Sequence, residues 1–334
     1  MISTLCTRVA SKIPTWANEA ILFGSIYFIL ALINLRLKLL VTPAWIDGGL
    51  RTLHRALLAF EATNNEQSRL LQFYIPELIR RALHLAPIHS YMIQRWLFVF
   101  LALLCFHFYL RKWFDARLAF AGVVTLAAIM PLTYVNDLQE SSPLLLLTFL
   151  LGLWMIRDHH TFWFALVLLI GALNNETILL LALVYFLYNF SDWNVRVLAR
   201  LGALILLTAL PAYLVTALIR YSTRTSPHLG EVWQLPNNVQ GFIKAFGASP
   251  LDWWHENYLS VFFLYGALWV FAFLGYKSKP LFLQRAALMI PFFLAAHFIA
   301  GIISETRLLL PLSFILIPMA FYYLFRRENA MGVE

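Results

Sequence analysis

The chain has 334 residues, of which 61% are hydrophobic and only 13% charged, and it carries a formal net charge of +8. Its mean hydropathy of +0.73 excludes a soluble globular domain, and its continuous apolar runs, such as Leu144 to Met155, lack the period-2 alternation of a membrane β-barrel. The basic excess sits in short turns between apolar runs, the pattern of cytoplasmic retention charges rather than of a nucleic-acid surface, and two cysteines, Cys6 and Cys105, supply no disulfide framework.

In chain order, the N-terminal segment contains Arg8, Lys12, Pro14 and Trp16 and runs into an apolar stretch without a small-residue cleavage site, which predicts a retained cytoplasmic N-terminus. Residues 5–20 mix apolar and basic side chains and predict a short interfacial helix. Nine long apolar runs then predict membrane spans at 20–40, 93–110, 116–134, 142–157, 161–190, 198–218, 259–275, 284–303 and 307–325. The run 161–190 is too long for one span and is interrupted by Asn174, Asn175, Glu176 and Thr177, polar groups too costly to leave facing lipid. Two half-helices meeting at a turn account for both facts. That re-entrant or hairpin pair also puts the basic turns 111–117, Arg157, 196–200, 277–285 and 326–327 on the side of Arg8 and Lys12. Arg36 and Lys38 are then misfits, expected at the outer end of the first span and snorkelling to the headgroups.

Two long outer loops result, 43–94 and 221–258. In the first, Leu50, Leu53, Leu57 and Leu58, and again Leu70, Leu71, Ile75, Leu78 and Ile79, recur at helical spacing and predict amphipathic surface helices. The second is rich in turn residues (Pro227, Gly230, Pro236, Gly241, Gly247, Pro250) with Trp233, Trp253 and Trp254 for interfacial anchoring. The expected fold is therefore all-α: one integral-membrane domain over 1–334, a polytopic bundle of about nine or ten transmembrane helices, with no separate soluble domain and no internal repeat.

This threading gathers Asp47, Glu61, Glu66, Glu77, Asp137, Glu140, Glu176, Glu231, Asp252, Glu256 and Glu305, out of 17 acidic residues, on the outer side, where the chemistry is expected. Four places stand out. Asp47 directly follows the first span; it reads as a helix N-cap or as a general base at the lipid–water boundary. Glu66 and Arg69, in the run Asn64 to Arg69, form a polar turn between surface helices or a phosphate grip in which the planar guanidinium does the binding; Arg80 and Arg81 read as a headgroup-contacting pair. Asn174 and Glu176 form a helix boundary or a functional group, and a carboxylate in an apolar stretch requires a partner. Glu305 and Arg307 are a surface pair, or a pair in which Arg307 reaches a lipid phosphate.

Metal and nucleotide signals are weak. His54, His84, His89, His228 and His255 lie in the outer loops without zincin spacing, and Asp252 to Glu256 lacks a defined partner set. A divalent metal is not indicated, nor is any other cofactor, and Gly-rich phosphate loops, a nucleophile elbow and a cysteine nucleophile signature are missing from the sequence.

The arrangement resembles the GT-C superfamily of integral-membrane glycosyltransferases, which use polyprenyl-phosphate-linked sugars on the extracytoplasmic face. The segment from Asp47, Gly48 and Gly49 through Glu61 looks like their acidic residue followed by an amphipathic jaw helix. Three short pieces look like a bacterial subgroup: Arg69 to Pro76, Asn174 to Thr177, and Glu305 to Pro311. The subgroup more often has a basic residue where Asn175 stands and an aromatic where Ser68 stands. The resemblance implies an inverting transfer to an acceptor hydroxyl of a glycan, lipid or protein. Asp47 is then the base, Arg69 and Arg307 the cations for the donor phosphate, and Glu66, Glu176, Asn174 and Glu305 catalytic or supporting groups. It also implies the bacterial inner membrane, an envelope polysaccharide context and membrane lipids as surroundings. Two alternatives remain: a transporter or flippase of lipid-linked sugars, for which a broken helix is also expected, and a non-catalytic subunit of an envelope polysaccharide assembly.

Overall fold

The computed structural model describes residues 15–62, 65–134, 138, 140–223, 233–253 and 257–325. Expectations that rest on Cys6, Arg8, Lys12, Pro14, Asn64, Asp137, Pro227, His228, Gly230, Glu231, Trp254, His255, Glu256, Arg326 and Arg327 lie outside these residues. Among the described residues the chain is helical, with no strand.

The first helix, α1 (Thr15–Val41), is 27 residues long, about 40 Å at 1.5 Å per residue, and so reaches across a bilayer. The outer loop after it forms α2 (Gly49–Leu58) and α3 (Leu70–Leu83). Gly48 caps α2 at φ +92°, a left-handed conformation that costs a residue with a Cβ about 1 kcal/mol or more. Next, α4 (Pro87–Leu110) lies along α1. Phe28 meets Trp96 and Phe100 edge-on, and the Tyr27 hydroxyl sits 2.7 Å from His107 Nδ1. The fifth helix, α5 (Ala116–Ile129), starts where Asp115 accepts a hydrogen bond from the Leu118 amide, and a 3-10 turn, Met130–Thr133, extends it.

The interrupted run becomes α7 (Thr161–Ala172), a 3-10 turn at Glu176–Leu180 and α8 (Leu181–Asn189), packed on α6 (Ser142–Arg157). The two halves run antiparallel. His159 stacks on Tyr188 and Phe164 on Tyr185, the Thr161 and Tyr185 hydroxyls are 3.1 Å apart, and nearer the tip Gly171 faces Ile178 so closely that a Cβ would come to 2.8 Å. The expected hairpin is therefore present, with Asn174 to Thr177 at its tip. After it come α9 (Val195–Ser222), α10 (Leu235–Gly247), α11 (Ser260–Tyr265), α12 (Leu268–Phe273), α13 (Leu281–Ala287), α14 (Met289–Ala300), a 3-10 segment at Thr306–Leu312 and α15 (Ser313–Leu324).

Six described helical stretches are long and apolar enough to cross a membrane, and three apolar helices, Ser142–Arg157, Thr161–Ala172 and Glu176–Asn189, are shorter. This makes a multi-pass helical membrane bundle with fewer full-length spans than the nine or ten expected. The expected span at 259–275 is the clearest departure. Gly266 turns the chain at φ +46°, leaving two six-residue helices of about 9 Å each. The Lys279 ammonium donates to the Phe271 and Ala272 carbonyls, supplying partners at the end of α12.

Hydropathy does not report position in the bundle. The most apolar span, Val195–Ser222, is 17% buried within the protein, whereas Thr306–Leu324 is 78% buried at lower hydropathy. Lipid stabilises an apolar surface as well as a protein neighbour does, so α9 lies at the rim and α15 at the centre. At one end of the bundle Lys112 pairs with Asp158 at 3.1 Å and Arg111 with Glu19 at 2.7 Å, and Arg157 lies over the Trp113 ring. The opposite end carries the hairpin tip together with α2 and α3, tied to it through Leu71 and Leu173.

Lys38 corrects an expectation. It is 3% exposed and faces a small internal space with Arg95, Glu140 and Arg307, so it does not snorkel to headgroups. Glu140 offsets part of the cost of burying the Lys38 ammonium there. Arg36 is exposed.

Candidate functional site

A cavity of about 470 Å³ opens at the hairpin-tip end of the bundle. Glu66, Arg69, Glu176, Thr177, His297 and Glu305 supply its polar wall; Leu180, Ala296, Ala300, Ile302 and Leu308 supply its apolar one. Four stretches far apart in sequence line it: 66–69, 176–180, Gln234 and 296–308.

The turn Asn65–Ser68 presents Glu66. Gln67 anchors that turn by donating 2.9 Å to the Leu57 carbonyl, and the Leu71 amide donates 3.2 Å to the Leu173 carbonyl, which ties the first outer loop to the hairpin tip. At the tip, Asn174 donates 2.8 Å to the Ser141 carbonyl and Asn175 reaches the Ser141 hydroxyl at 3.3 Å. Asn175 Oδ1 also accepts from the Thr177 amide at 3.0 Å. Asn175 thus satisfies an amide freed by the break in the helix, Asn174 ties the tip to the start of α6, and Glu176 and Thr177 line the cavity. From the end of α9, Arg220 Nη2 donates 2.9 Å to Glu176 Oε1, and Arg69 Nη2 lies 3.9 Å from the same oxygen.

The last wall is the loop between α14 and the 3-10 segment that leads into α15. Buried Asn238 of α10 donates 2.7 Å to the carbonyls of both Phe298 and Gly301 and accepts from the Ile303 amide at 3.2 Å. One side chain therefore holds the loop that carries Glu305. Burial pushes the Glu305 carboxyl above the ordinary carboxylate range; the Arg69 charge opposes this and Glu66 reinforces it. Arg307 donates 2.8 Å to Glu305 Oε2 and also faces the second, internal space.

Asp47 stands elsewhere. It is exposed and lines a different cavity of about 400 Å³ with Arg51, Ala86 and Pro87; the N-cap of α2 is Gly48 rather than Asp47. Of the residues singled out in sequence, Glu66, Arg69, Glu176 and Glu305 meet at one cavity, Arg307 and Asn174 support it from behind, and Asp47 is apart. Arg80 and Arg81 are not solely a headgroup pair: both bind Glu77, Arg80 at 2.6 and 2.9 Å and Arg81 at 2.5 Å. Buried His54 joins Glu77 at 3.1 Å and Tyr91 at 3.2 Å, which locks α2 and α3 to α4. The Arg80 hydrogen bonds, against the cost of burial, hold the Glu77 carboxyl well below the usual range.

Sequence reading missed Arg220, His297 and the buried pair Arg95–Glu140. Arg95 Nη1 lies 2.7 and 2.8 Å from the two Glu140 oxygens, and its guanidinium covers the Tyr134 ring at 4.7 Å. Lys38, Arg95 and His297 are ionisable groups inside apolar runs, a signal that each has a partner in the protein. Among the described residues no group of three or more His, Cys, Asp and Glu side chains is arranged to hold a metal ion.

Chemically, the cavity offers the Arg69 guanidinium for an anion, carboxylates for a proton or a hydroxyl, and an apolar flank for a hydrocarbon chain. No family model, curated protein or solved structure matches this chain.

Proposed function

We propose that the chain is a membrane glycosyltransferase of the GT-C kind, transferring a sugar from a polyprenyl-phosphate donor to an acceptor hydroxyl at the outer face with inversion. One observation carries the reading: three carboxylates and Arg69 line a cavity that has an apolar wall, with Arg220 and Arg307 paired to two of those carboxylates, at the loop-rich end of a membrane bundle. A lipid phosphate suits guanidinium groups, and the apolar wall suits the first isoprene units.

The step needs a base and a stabilised leaving group. Glu305 is assigned as the base, because its carboxylate lines the cavity and burial raises its proton affinity. It takes the acceptor hydroxyl proton as that oxygen attacks the anomeric carbon. The bond from that carbon to the phosphate oxygen breaks, and its electron pair leaves with the phosphate toward Arg69 and Arg220. Glu176 holds these two cations in place. A single displacement inverts the anomeric centre. Asp47, the base implied by the family resemblance, lines a different cavity from this constellation and is not given that role in this reading.

The test is sugar transfer from a radiolabelled polyprenyl-phosphate donor by the purified chain in lipid. Glu305→Gln is expected to lower kcat by about 10²- to 10⁴-fold and Asp47→Asn to leave it within about threefold. The wild-type rate is expected to rise with pH through an apparent pKa above the ordinary glutamate value of about 4.3, since the base acts deprotonated. A folded Asp47→Asn protein without turnover returns the base to Asp47. Absence of turnover by the wild-type chain with every donor sinks the transferase reading in favour of a transporter or an assembly subunit.

A further inference from the structure

The hydrogen bonds of His297 determine what Thr177 shows to the cavity. His297 Nδ1 lies 2.9 Å from the Phe293 carbonyl, an atom that can only accept, so Nδ1 carries the proton. In the neutral ring Nε2 then has a lone pair. That nitrogen is 3.3 Å from Thr177 Oγ1, so the threonine hydroxyl donates to it. Stacking of the His297 ring on Phe293, with centroids 4.3 Å apart, fixes the ring plane. Thr177 is equally constrained, because its amide is held by Asn175 Oδ1 at the hairpin tip. Its oxygen, having given up its only proton, offers lone pairs alone to the cavity it lines.

We propose that Thr177, oriented by His297, is a hydroxyl-recognising group of the cavity: it accepts a hydrogen bond from the sugar of a phosphate-linked donor and so distinguishes a glycosylated lipid phosphate from the bare lipid phosphate. The inference rests on the transferase reading for the class of ligand. Arginines hold what both lipids share, and an acceptor-only oxygen holds what only the donor has. His297 acts through Thr177 and is a positioning residue. A group built to receive a hydroxyl disfavours the ligand that lacks one, since the acceptor then loses its partner. After transfer the spent lipid phosphate therefore binds more weakly than fresh donor.

The experiment measures binding of two probes, a short-chain polyprenyl phosphate and the same lipid carrying a hexosyl group, to the full chain in lipid nanodiscs. Wild type is expected to favour the glycosylated probe by about tenfold, the scale of one good hydrogen bond. Thr177→Val is expected to reduce that preference to within about twofold while binding of the bare probe is unchanged, and Thr177→Ser to keep it. His297→Phe is expected to match Thr177→Val, and the double variant to add nothing further, because both remove one element. An unchanged preference in Thr177→Val overturns the proposal, as does equal loss of both probes, a structural effect only, or no saturable binding of either probe to wild type. Turnover measured on the same preparation separates the two readings. Intact selectivity without turnover sinks the transferase alone, and turnover with a Thr177-independent preference sinks this inference alone.

Discussion

At the residue scale, the ionisable groups in this chain fall into those that act on a ligand and those that hold the protein together, and burial with partnering separates them. Glu140 and Arg95 are 1% and 4% exposed and satisfy each other. Glu140→Gln leaves the Arg95 guanidinium without its charge partner and is expected to destabilise by about 3–5 kcal/mol, read as a lowered unfolding temperature in lipid; an unchanged temperature removes the pair from the stability argument. Glu77 gives a pH signature. Its folded pKa is depressed, so its contribution is complete above the unfolded value of about 4.3 and is lost as pH falls through the lower folded value. The docking of α2 and α3 on α4, followed by hydrogen exchange, should hold at pH 5–8 and weaken only in stronger acid, while Glu77→Gln should loosen it at every pH. Glu66, Arg69, Glu176 and Glu305 were legible as candidates because polar groups beside or within apolar runs are costly and need a reason. Asp47 carried a weaker signal of this kind, because an exposed position after a span costs little, and it lines a different cavity.

At the element scale, the hairpin at 161–190 was legible because its length exceeded one span and its midpoint was polar. How closely its halves approach was not, since that depends on Gly171 meeting Ile178, and neither was its seat on α6, where Gly152 meets Leu181. Gly171→Val is expected to cost about 1–3 kcal/mol through overpacking and to displace the tip that carries Glu176 and Thr177, lowering activity together with stability. A Cβ added at Gly202 in α9 would meet nothing within 4 Å, so Gly202→Ala should be neutral or stabilise by up to about 1 kcal/mol; paired melting curves of the two variants test the contrast. The break at Gly266 escaped the sequence reading for a related reason. A glycine in an apolar run is compatible with a continuous helix or with a turn, and only the packing around it selects between them.

At the scale of the whole molecule, the threading makes one directly testable statement about sidedness. In a chain with Cys6 and Cys105 replaced by serine, single cysteines at exposed Glu61 and Asp252 should react with an impermeant maleimide from one side of a sealed membrane, and cysteines at exposed Arg196 and Lys277 only from the other. Labelling of all four from one side would sink the threading and with it the placement of the cavity. By itself the sequence determined that the chain is a multi-helix membrane protein, where its polar interruptions fall and which of them required partners. Those are properties of single residues and short windows, and transfer from water to lipid is close to additive over them. Only the tertiary structure decided that Glu66, Glu176 and Glu305 share a cavity, that Arg220 clamps Glu176 from 44 positions away and that His297 meets Thr177 across 120. It also decided that Lys38 turns inward and that Asp47 stands apart. Lipid is as apolar as the faces it covers, so hydropathy carries no instruction about which helix packs on which; that choice is made by side-chain fit and by pairing of buried polar groups, both of which exist only once the chain has folded.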